Sequence, residues 1–136
     1  VPFGKARICR EGAHLTVVTY GNTVHLSLHA AERLSAEGAE VEVIDLRSLV
    51  PLDLDCLLNS IRKTSRCLIV HEDKIQGGFG GEIAAQIIEH GFELLDAPLK
   101  RVGAEFVPVG FNRVLEKATL PNVETIYQAM CGVISY

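Results

Sequence analysis

The feature of this sequence that most constrains its fold is a repeated alternation between short apolar runs and longer stretches of helical periodicity. Val24, Leu28, Ala31 and Leu34 recur at steps of three and four, which is the spacing of one face of a helix. The run 67–70 is continuously apolar, as expected for a strand covered on both faces. Strand and helix patterns alternate about every 25 residues, which is typical of right-handed βαβ crossovers. The sequence therefore predicts a three-layer α/β/α domain with a mainly parallel sheet of about five strands.

Local signals place the ends of several of these elements. Asn22, Asp53 and Asn122 each precede a helical stretch and are predicted to be N-caps, because their side chains can accept hydrogen bonds from free backbone N–H groups. Gly38 is predicted to end the first helix. A short additional strand is expected at 6–9, and a weaker strand at 99–102.

Composition restricts the classes of protein and of partner. The 136 residues are 48% hydrophobic and 22% charged. These values favour a single globular domain that covers residues 1–136, and they argue against a disordered, collagen-like or coiled-coil chain. The net charge is −4 and the 13 Lys and Arg residues are scattered, so no nucleic-acid partner is expected. No apolar run approaches the roughly 20 residues that span a bilayer, and no membrane partner is expected.

Four cysteines, Cys9, Cys56, Cys67 and Cys131, lie in apolar stretches at long and irregular spacings. No CxxC pair exists, so neither a zinc ribbon nor a dithiol redox motif is predicted. We expect all four to be buried, reduced thiols, which fits a cytosolic or organelle-matrix compartment. The chain begins at Val1 rather than Met, which suggests a processed N-terminus or a fragment of a longer chain.

The segment 71–82 has the composition of a possible ligand site. It follows the most hydrophobic run, and ligands of open α/β sheets gather beyond the carboxyl ends of the strands. The segment contains a histidine, carboxylates and four glycines, and a glycine-rich loop before a helix can hold a phosphate. Its GGFGGE motif matches neither GxGxxG nor a Walker motif, and Glu82 adds a negative charge in the first helical turn. A tight strand-to-helix turn is therefore the favoured interpretation, and anion binding is the alternative.

Other candidate residues favour structural roles. His71 has the chemistry of a general base, but no Ser, Cys or Thr nucleophile lies near it in the sequence, so a structural hydrogen bond is favoured. His25 and His29 lie four apart, but the HExxH motif of a metal site is absent, and a solvated helix face is favoured. Asp45 and Arg47 lie on one side of their strand and could pair with each other or with another chain.

Five segments together resemble the C-terminal domain of the transketolase superfamily. They are VPFGKAR at 1–7, VEVIDLRSLVPLD at 41–53, VHE at 70–72, GGFGGEIAA at 77–85 and LDAPLKRV at 95–102. The likeness is greatest to the beta subunit, or the beta part of a fused chain, of thiamin-diphosphate-dependent 2-oxoacid dehydrogenases acting on pyruvate or branched-chain 2-oxoacids. The stretch 107–116 resembles the version found in fused chains. Gly81 departs from the family, which more often has a small non-glycine residue there.

The resemblance implies a mixed sheet of order 1-3-2-4-5 with the first strand antiparallel. It also implies a parent enzyme that uses thiamin diphosphate and Mg²⁺, oxidatively decarboxylates a 2-oxoacid and transfers the acyl group to lipoyl groups. In the family, the cofactor lies between a pyrophosphate-binding and a pyrimidine-binding domain, and no residue of this chain matches their motifs. No catalytic, cofactor-binding or metal-binding residue is therefore predicted here, and the domain alone is expected to be inactive and to bind no cofactor.

What the resemblance implies for this chain is assembly and partner docking. The implied partners are its own pyrimidine- and pyrophosphate-binding domains or an alpha subunit, a second copy of this domain, and the subunit-binding domain of a dihydrolipoyl acyltransferase. Acidic groups at Asp96 and at the terminal carboxylate of Tyr136 would pair with a basic partner surface. The candidate interface residues are His71, Glu72, Gly77, Gly78, Phe79, Gly80, Asp96 and Tyr136.

Two alternative functions stay open on the sequence. One is the C-terminal domain of a sister enzyme, such as transketolase or deoxyxylulose-phosphate synthase, because fold alone does not assign function. The other is a freestanding, anion-binding regulatory domain that uses the segment 71–82. The expected location is the bacterial cytoplasm, or the mitochondrial matrix in a eukaryote.

Overall fold

Five strands and four α-helices alternate along residues 2–105 and 119–136, which are the residues that the computed structural model describes. The strands are β1 (Arg7–Arg10), β2 (Leu15–Thr19), β3 (Val41–Asp45), β4 (Cys67–Lys74) and β5 (Lys100–Ala104). The helices are α1 (Thr23–Ala36), α2 (Leu54–Thr64), α3 (Phe79–Gly91) and α4 (Val123–Ile134), and a 3₁₀ turn (Phe92–Leu94) follows α3. The stretch 107–116, singled out for its likeness to fused chains, lies outside the described residues.

The strands form one mixed sheet in the order β1-β3-β2-β4-β5. β1 runs antiparallel to β3, and the β2–β3, β2–β4 and β4–β5 pairs are parallel. The predicted strand order and the antiparallel first strand are both confirmed. The short strands expected near 6–9 and 99–102 are present as β1 and β5, each shifted by one or two residues.

Alternate side chains of the central strands enter two separate cores. Val17 packs with α1 and α4 on one face of the sheet, whereas Val18 packs with α2 and α3 on the other. Both side chains have no exposed surface, and each buried valine contributes about 1.5–3 kcal/mol through removal of apolar area from water. The three-layer arrangement predicted from the alternating pattern follows from this two-sided burial.

Two of the three predicted N-caps make capping hydrogen bonds. Asp53 Oδ1 accepts from the backbone N–H of Cys56 at 3.3 Å. Asn122 and Thr125 form a reciprocal capping box at the start of α4. Asn22 occupies the N-cap position of α1, but its side chain makes no capping bond, because its backbone already has helical dihedral angles.

The end of α1 follows the prediction. Gly38 has φ +95°, a left-handed conformation that favours glycine. Its N–H donates to the Ser35 carbonyl at 3.0 Å, which closes the helix in the usual C-terminal arrangement.

The prediction that all four thiols are buried is wrong for three of them. Cys67 is fully buried in β4, but Cys9, Cys56 and Cys131 are partly exposed, and all four are free thiols. Burial raises the pKa of the Cys67 thiol to about 12. Cys9 lies on the edge strand β1, and Cys56 and Cys131 pack at the margins of the two cores, where an apolar neighbourhood in the sequence does not imply full burial.

No helix in residues 2–105 and 119–136 is both long enough and apolar enough to cross a membrane.

Candidate functional site

The segment 71–82 connects the carboxyl end of β4 to α3. Its first residues continue β4 as far as Lys74, and α3 begins at Phe79. The intervening turn is attached to β5 by two hydrogen bonds, from the Ile75 N–H to the Ala104 carbonyl at 2.9 Å and from Arg101 Nη1 to the Ile75 carbonyl at 2.6 Å. The predicted strand-to-helix turn is therefore present and is fixed to the neighbouring strand.

His71 lies at the centre of this edge and has no exposed surface. Its Nδ1–H donates to the Asp73 carbonyl at 3.0 Å. The imidazole lies between two glycines. A Cβ added at Gly80 would lie 2.1 Å from Nε2, and one added at Gly103 would lie 2.8 Å from Cε1. The close approach of backbone to imidazole therefore requires glycine at both positions.

The Nε2 atom of His71 is buried without a polar partner among the described residues. Burial lowers the pKa of this histidine, an effect to which the charge of Arg101 adds, while the hydrogen bond and charge of Asp73 oppose it. The ring is therefore kept neutral. This environment supports the structural role favoured for His71 rather than a role as a general base, which needs access to a substrate.

The candidate interface residues of this segment separate into two groups. Glu72 and Gly77 are exposed, and Gly78 and Phe79 are half-buried. His71 and Gly80 are buried in this chain, and their role at an interface stays a prediction. The contact between His71 and Gly80 holds α3 against the end of β4, and this packing positions the exposed residues of the segment.

Negative charge surrounds the N-terminus of α3. Asp73 Oδ2 accepts from the Phe79 N–H at 3.4 Å, and Glu82 lies in the first turn of the helix. Free N–H groups and the helix dipole would attract an anion. The carboxylates of Asp73 and Glu82 already lie at this end of the helix, however, and would repel a further negative charge. The arrangement does not fit a phosphate group, and it does not fit the diphosphate of thiamin diphosphate.

The described residues also do not fit the magnesium ion that accompanies that cofactor. They contain no group of three or more His, Cys, Asp or Glu side chains that could hold a metal ion. His25 and His29 are both exposed on α1, as expected for a solvated face. No step of a cofactor-dependent reaction is therefore derived for this chain.

Asp45 and Arg47 contact each other at the end of β3. The Arg47 N–H donates to Asp45 Oδ1 at 3.2 Å, and Arg47 Nη1 lies 4.0 Å from Asp45 Oδ2. The local pairing left open by the sequence is therefore present, and pairing with another chain stays a prediction.

An open groove on the outer side of α3 contains the other two candidate interface residues. This surface, called the α3–β5 groove, has a volume of about 500 Å³, and residues of its lining are Ala84, Ile88, Phe92, Asp96, Arg101 and Tyr136. Phe92 and Tyr136 are 67% and 72% exposed, and Ile88 is 41% exposed. Asp96 and Tyr136, which are 40 positions apart in the numbering, thus belong to one concave, partly apolar surface.

Only part of this groove could be predicted from the sequence. The apolar residues Ile83, Ile87 and Ile88 recur at helical spacing in α3, but only Ile83 and Ile87 are fully buried. The sequence does contain one indication that Ile88 could be exposed. The apolar face of α3 is two rows wide, because positions 84 and 88 form a second row beside positions 83 and 87. Phe92 and Arg101 carry no comparable signal, because their placement depends on how β5 packs beside α3.

Comparison with known proteins gives a consistent result. Residues 4–126 match the family model described as transketolase, C-terminal domain. The chain is 40% identical over 136 residues to the pyruvate dehydrogenase E1 component subunit beta of Rickettsia felis, covering 100% of this chain and 42% of that protein. It is 44% identical over 126 residues to the acetoin:2,6-dichlorophenolindophenol oxidoreductase subunit beta of Bacillus subtilis, covering 93% of this chain and 37% of that protein.

A solved structure agrees with these matches. The structure, described as a split gene transketolase in an inactive beta4 tetramer, has a TM-score of 0.85 and 26% identity, and the match covers 99% of this chain and 44% of that one. The present chain therefore spans less than half the length of the relatives that it matches.

The contact between His71 and Gly80 predicts opposite effects for neighbouring substitutions. Gly80→Ala should reduce the free energy of unfolding by at least about 2 kcal/mol, because the new methyl group overlaps the buried imidazole. Gly81→Ala is the matched control, since its Cβ would have 3.6 Å to Arg101 Nη1, and it should raise that free energy by up to about 1 kcal/mol through helix propensity. Urea unfolding measures both, and equal effects would contradict the proposed packing.

The neutral, buried state of His71 predicts a pH dependence of stability. Because its pKa is lowered in the folded chain, the unfolded chain binds a proton more readily, and the free energy of unfolding should decrease as the pH falls below about 6.5. The contribution cannot exceed about 1.4 kcal/mol per pH unit for one proton. Urea unfolding at pH 7.5 and 5.5 should show a smaller decrease in His71→Asn than in the exposed control His29→Asn. If the free energy of unfolding decreases by the same amount in His71→Asn and in His29→Asn, groups other than His71 cause the pH dependence.

Proposed function

Because this chain belongs to the transketolase C-terminal domain family, we propose that it is the C-terminal domain of the beta subunit, or of the beta part of a fused chain, of a thiamin-diphosphate-dependent 2-oxoacid dehydrogenase. The observation that carries the proposal is the 40% identity over all 136 residues to a pyruvate dehydrogenase E1 beta subunit. The parent enzyme would decarboxylate a 2-oxoacid oxidatively and pass the acyl group to a lipoyl group. It would act in the bacterial cytoplasm or the mitochondrial matrix.

The chemistry of that reaction belongs to other parts of the enzyme. Thiamin diphosphate and Mg²⁺ would be held by the pyrimidine- and pyrophosphate-binding domains, since the residues described here do not fit them. The role of this chain is assembly: its outer surfaces contact those domains or an alpha subunit, a second copy of itself, and the acyltransferase that receives the acyl group. The domain alone is expected to be inactive and to bind no cofactor.

The α3–β5 groove supports a docking role toward the subunit-binding domain of a dihydrolipoyl acyltransferase. Its exposed aromatic side chains, Phe92 and Tyr136, offer apolar area of the kind that concentrates binding energy at the centre of an interface. Asp96 adds a carboxylate at the rim, which would pair with a basic group and increase the rate of association. A partner with an apolar centre and basic rim therefore fits this surface.

A sister enzyme is the second candidate function. The match to a split gene transketolase, with 26% identity and a TM-score of 0.85, favours a sister enzyme to a lesser degree than the 40% identity to a pyruvate dehydrogenase E1 beta subunit favours a 2-oxoacid dehydrogenase. The freestanding anion-binding domain is disfavoured at the segment 71–82, because Asp73 and Glu82 lie where the anion would bind.

Substitutions in the groove test the docking role. In the assembled enzyme, Phe92→Ser should weaken binding of the acyltransferase subunit-binding domain by about 30-fold, which is the typical loss at an aromatic hot spot. Asp96→Asn should weaken it by about 3- to 10-fold, and this loss should shrink at high salt because screening reduces the contribution of an exposed charge. Isothermal titration calorimetry gives both dissociation constants.

The matched control is Ile8→Ser, which removes an exposed apolar side chain, 42% accessible, from the opposite edge of the sheet. It should leave the affinity unchanged. If the Phe92→Ser variant binds the acyltransferase subunit-binding domain as tightly as the unmodified enzyme does, the α3–β5 groove is not the docking surface. The family assignment does not depend on this outcome.

A further inference from the structure

A second concave surface lies at the opposite edge of the sheet, between β1 and the first turns of α1. This surface, called the β1–α1 groove, is open and has a volume of about 420 Å³, within the roughly 300–1,000 Å³ of typical small-molecule sites. Its lining comes from the edge strand β1, the first turns of α1, and the end of β3 with the turn that follows it. The docking role proposed for the α3–β5 groove does not use it.

The middle of the β1–α1 groove is apolar. Cys9 projects from β1, and Val24 and Leu28 project from α1, one helical turn apart. Val24 is buried, and Cys9 and Leu28 are partly exposed. A ligand that covers these side chains would remove further apolar surface from water, which stabilises the complex in proportion to the area covered.

One end of the groove carries an excess of cationic groups. Arg7 and Arg47 line it together with a single carboxylate, that of Asp45. Asp45 is already in contact with Arg47, at 4.0 Å. Arg7 lies directly opposite Asp45 in the β1–β3 pairing, yet among the described residues its guanidinium has no hydrogen-bond or ion-pair partner. The two guanidinium groups thus outnumber the one carboxylate in a chain whose net charge is −4.

The neighbouring turn of α1 does not oppose this local positive field. The first turn of α1 contains no acidic residue, and the Asn22 side chain makes no capping bond. By contrast, the first turns of α2, α3 and α4 contain Asp55, Glu82 and Glu124, respectively. The groove therefore differs from the end of α3, where carboxylates exclude an anion.

From this combination we propose that the β1–α1 groove binds a small carboxylate with an apolar body. The carboxylate would pair with Arg7 and Arg47, whose planar guanidinium groups match carboxylate geometry. The apolar body would cover Cys9, Val24 and Leu28. The apolar middle distinguishes this ligand from a bare phosphate, and the cationic end distinguishes it from a neutral lipid or alcohol. The proposal does not depend on the proposed function.

The test compares three probes on the protein together with the subunits that copurify with it. Octanoate has both the charge and the apolar body, 1-octanol has only the apolar body, and inorganic phosphate has only the charge. Isothermal titration calorimetry should show octanoate binding about tenfold or more tightly than either of the others. Octanol or phosphate binding as tightly as octanoate, or no binding of octanoate, would overturn the proposal.

Variants and a chemical probe locate the binding. Arg7→Gln and Arg47→Gln should each weaken octanoate binding by about fivefold or more, whereas the control Arg62→Gln, on the exposed side of α2, should not. Octanoate should also slow alkylation of Cys9 by iodoacetamide without slowing that of Cys56, which lies on α2. Unchanged affinity in both arginine variants, or unchanged alkylation of Cys9, would place the ligand elsewhere and overturn the proposal.

Discussion

Two-sided burial of the central strands is the constraint on which the rest of the structure depends. All five residues of β2 are fully buried, so its polar side chains must find partners inside the protein. Thr16 Oγ1 lies 2.6 Å from Ser60 Oγ, and the almost fully buried Glu42 on β3 accepts from Ser60 and from Lys63 at 2.6 and 2.5 Å. Burial raises the pKa of the Glu42 carboxyl, but the hydrogen bonds from Lys63 and Ser60 outweigh it and lower the pKa below its ordinary value. These bonds allow α2 to cover the sheet at a position where the strand sequence is not apolar.

Because the central strands are covered on both faces, surfaces available to partners lie at the edges of the sheet. The carboxyl edge at β4 is closed by the packing of His71 against Gly80 and Gly103, and negative charge surrounds the helix that follows it. The α3–β5 groove, beside one outer strand, carries exposed apolar area at Ile88, Phe92 and Tyr136. The β1–α1 groove lies beside the other outer strand and combines partly exposed apolar side chains with two arginines.

The fold could be predicted from the sequence further than the site could. Apolar periodicity placed the helices and central strands, because burial on one stripe of a helix and on both faces of a strand leaves different spacings. The strand order came from the family resemblance rather than from the periodicity. A structural role for His71 could be predicted, but its packing could not, since one of its glycine neighbours, Gly103, lies on another strand. The exposure of Ile88 could not be predicted for a related reason, since a helix with two apolar rows does not reveal which row faces the core. The proximity of Asp96 and Tyr136 was likewise set by the packing of α3 beside β5.

Turnover of 2-oxoacids by the parent enzyme is the direct test of the proposal that this chain belongs to a 2-oxoacid dehydrogenase. The full-length gene product that contains this chain, assembled with any alpha partner and supplied with thiamin diphosphate and Mg²⁺, would be assayed for decarboxylation of pyruvate and of 3-methyl-2-oxobutanoate. We expect turnover of one or both 2-oxoacids, and the ratio of the two rates would identify the substrate class. Absence of turnover of both by an assembled, cofactor-loaded enzyme would contradict the proposed function and favour a sister enzyme of the superfamily.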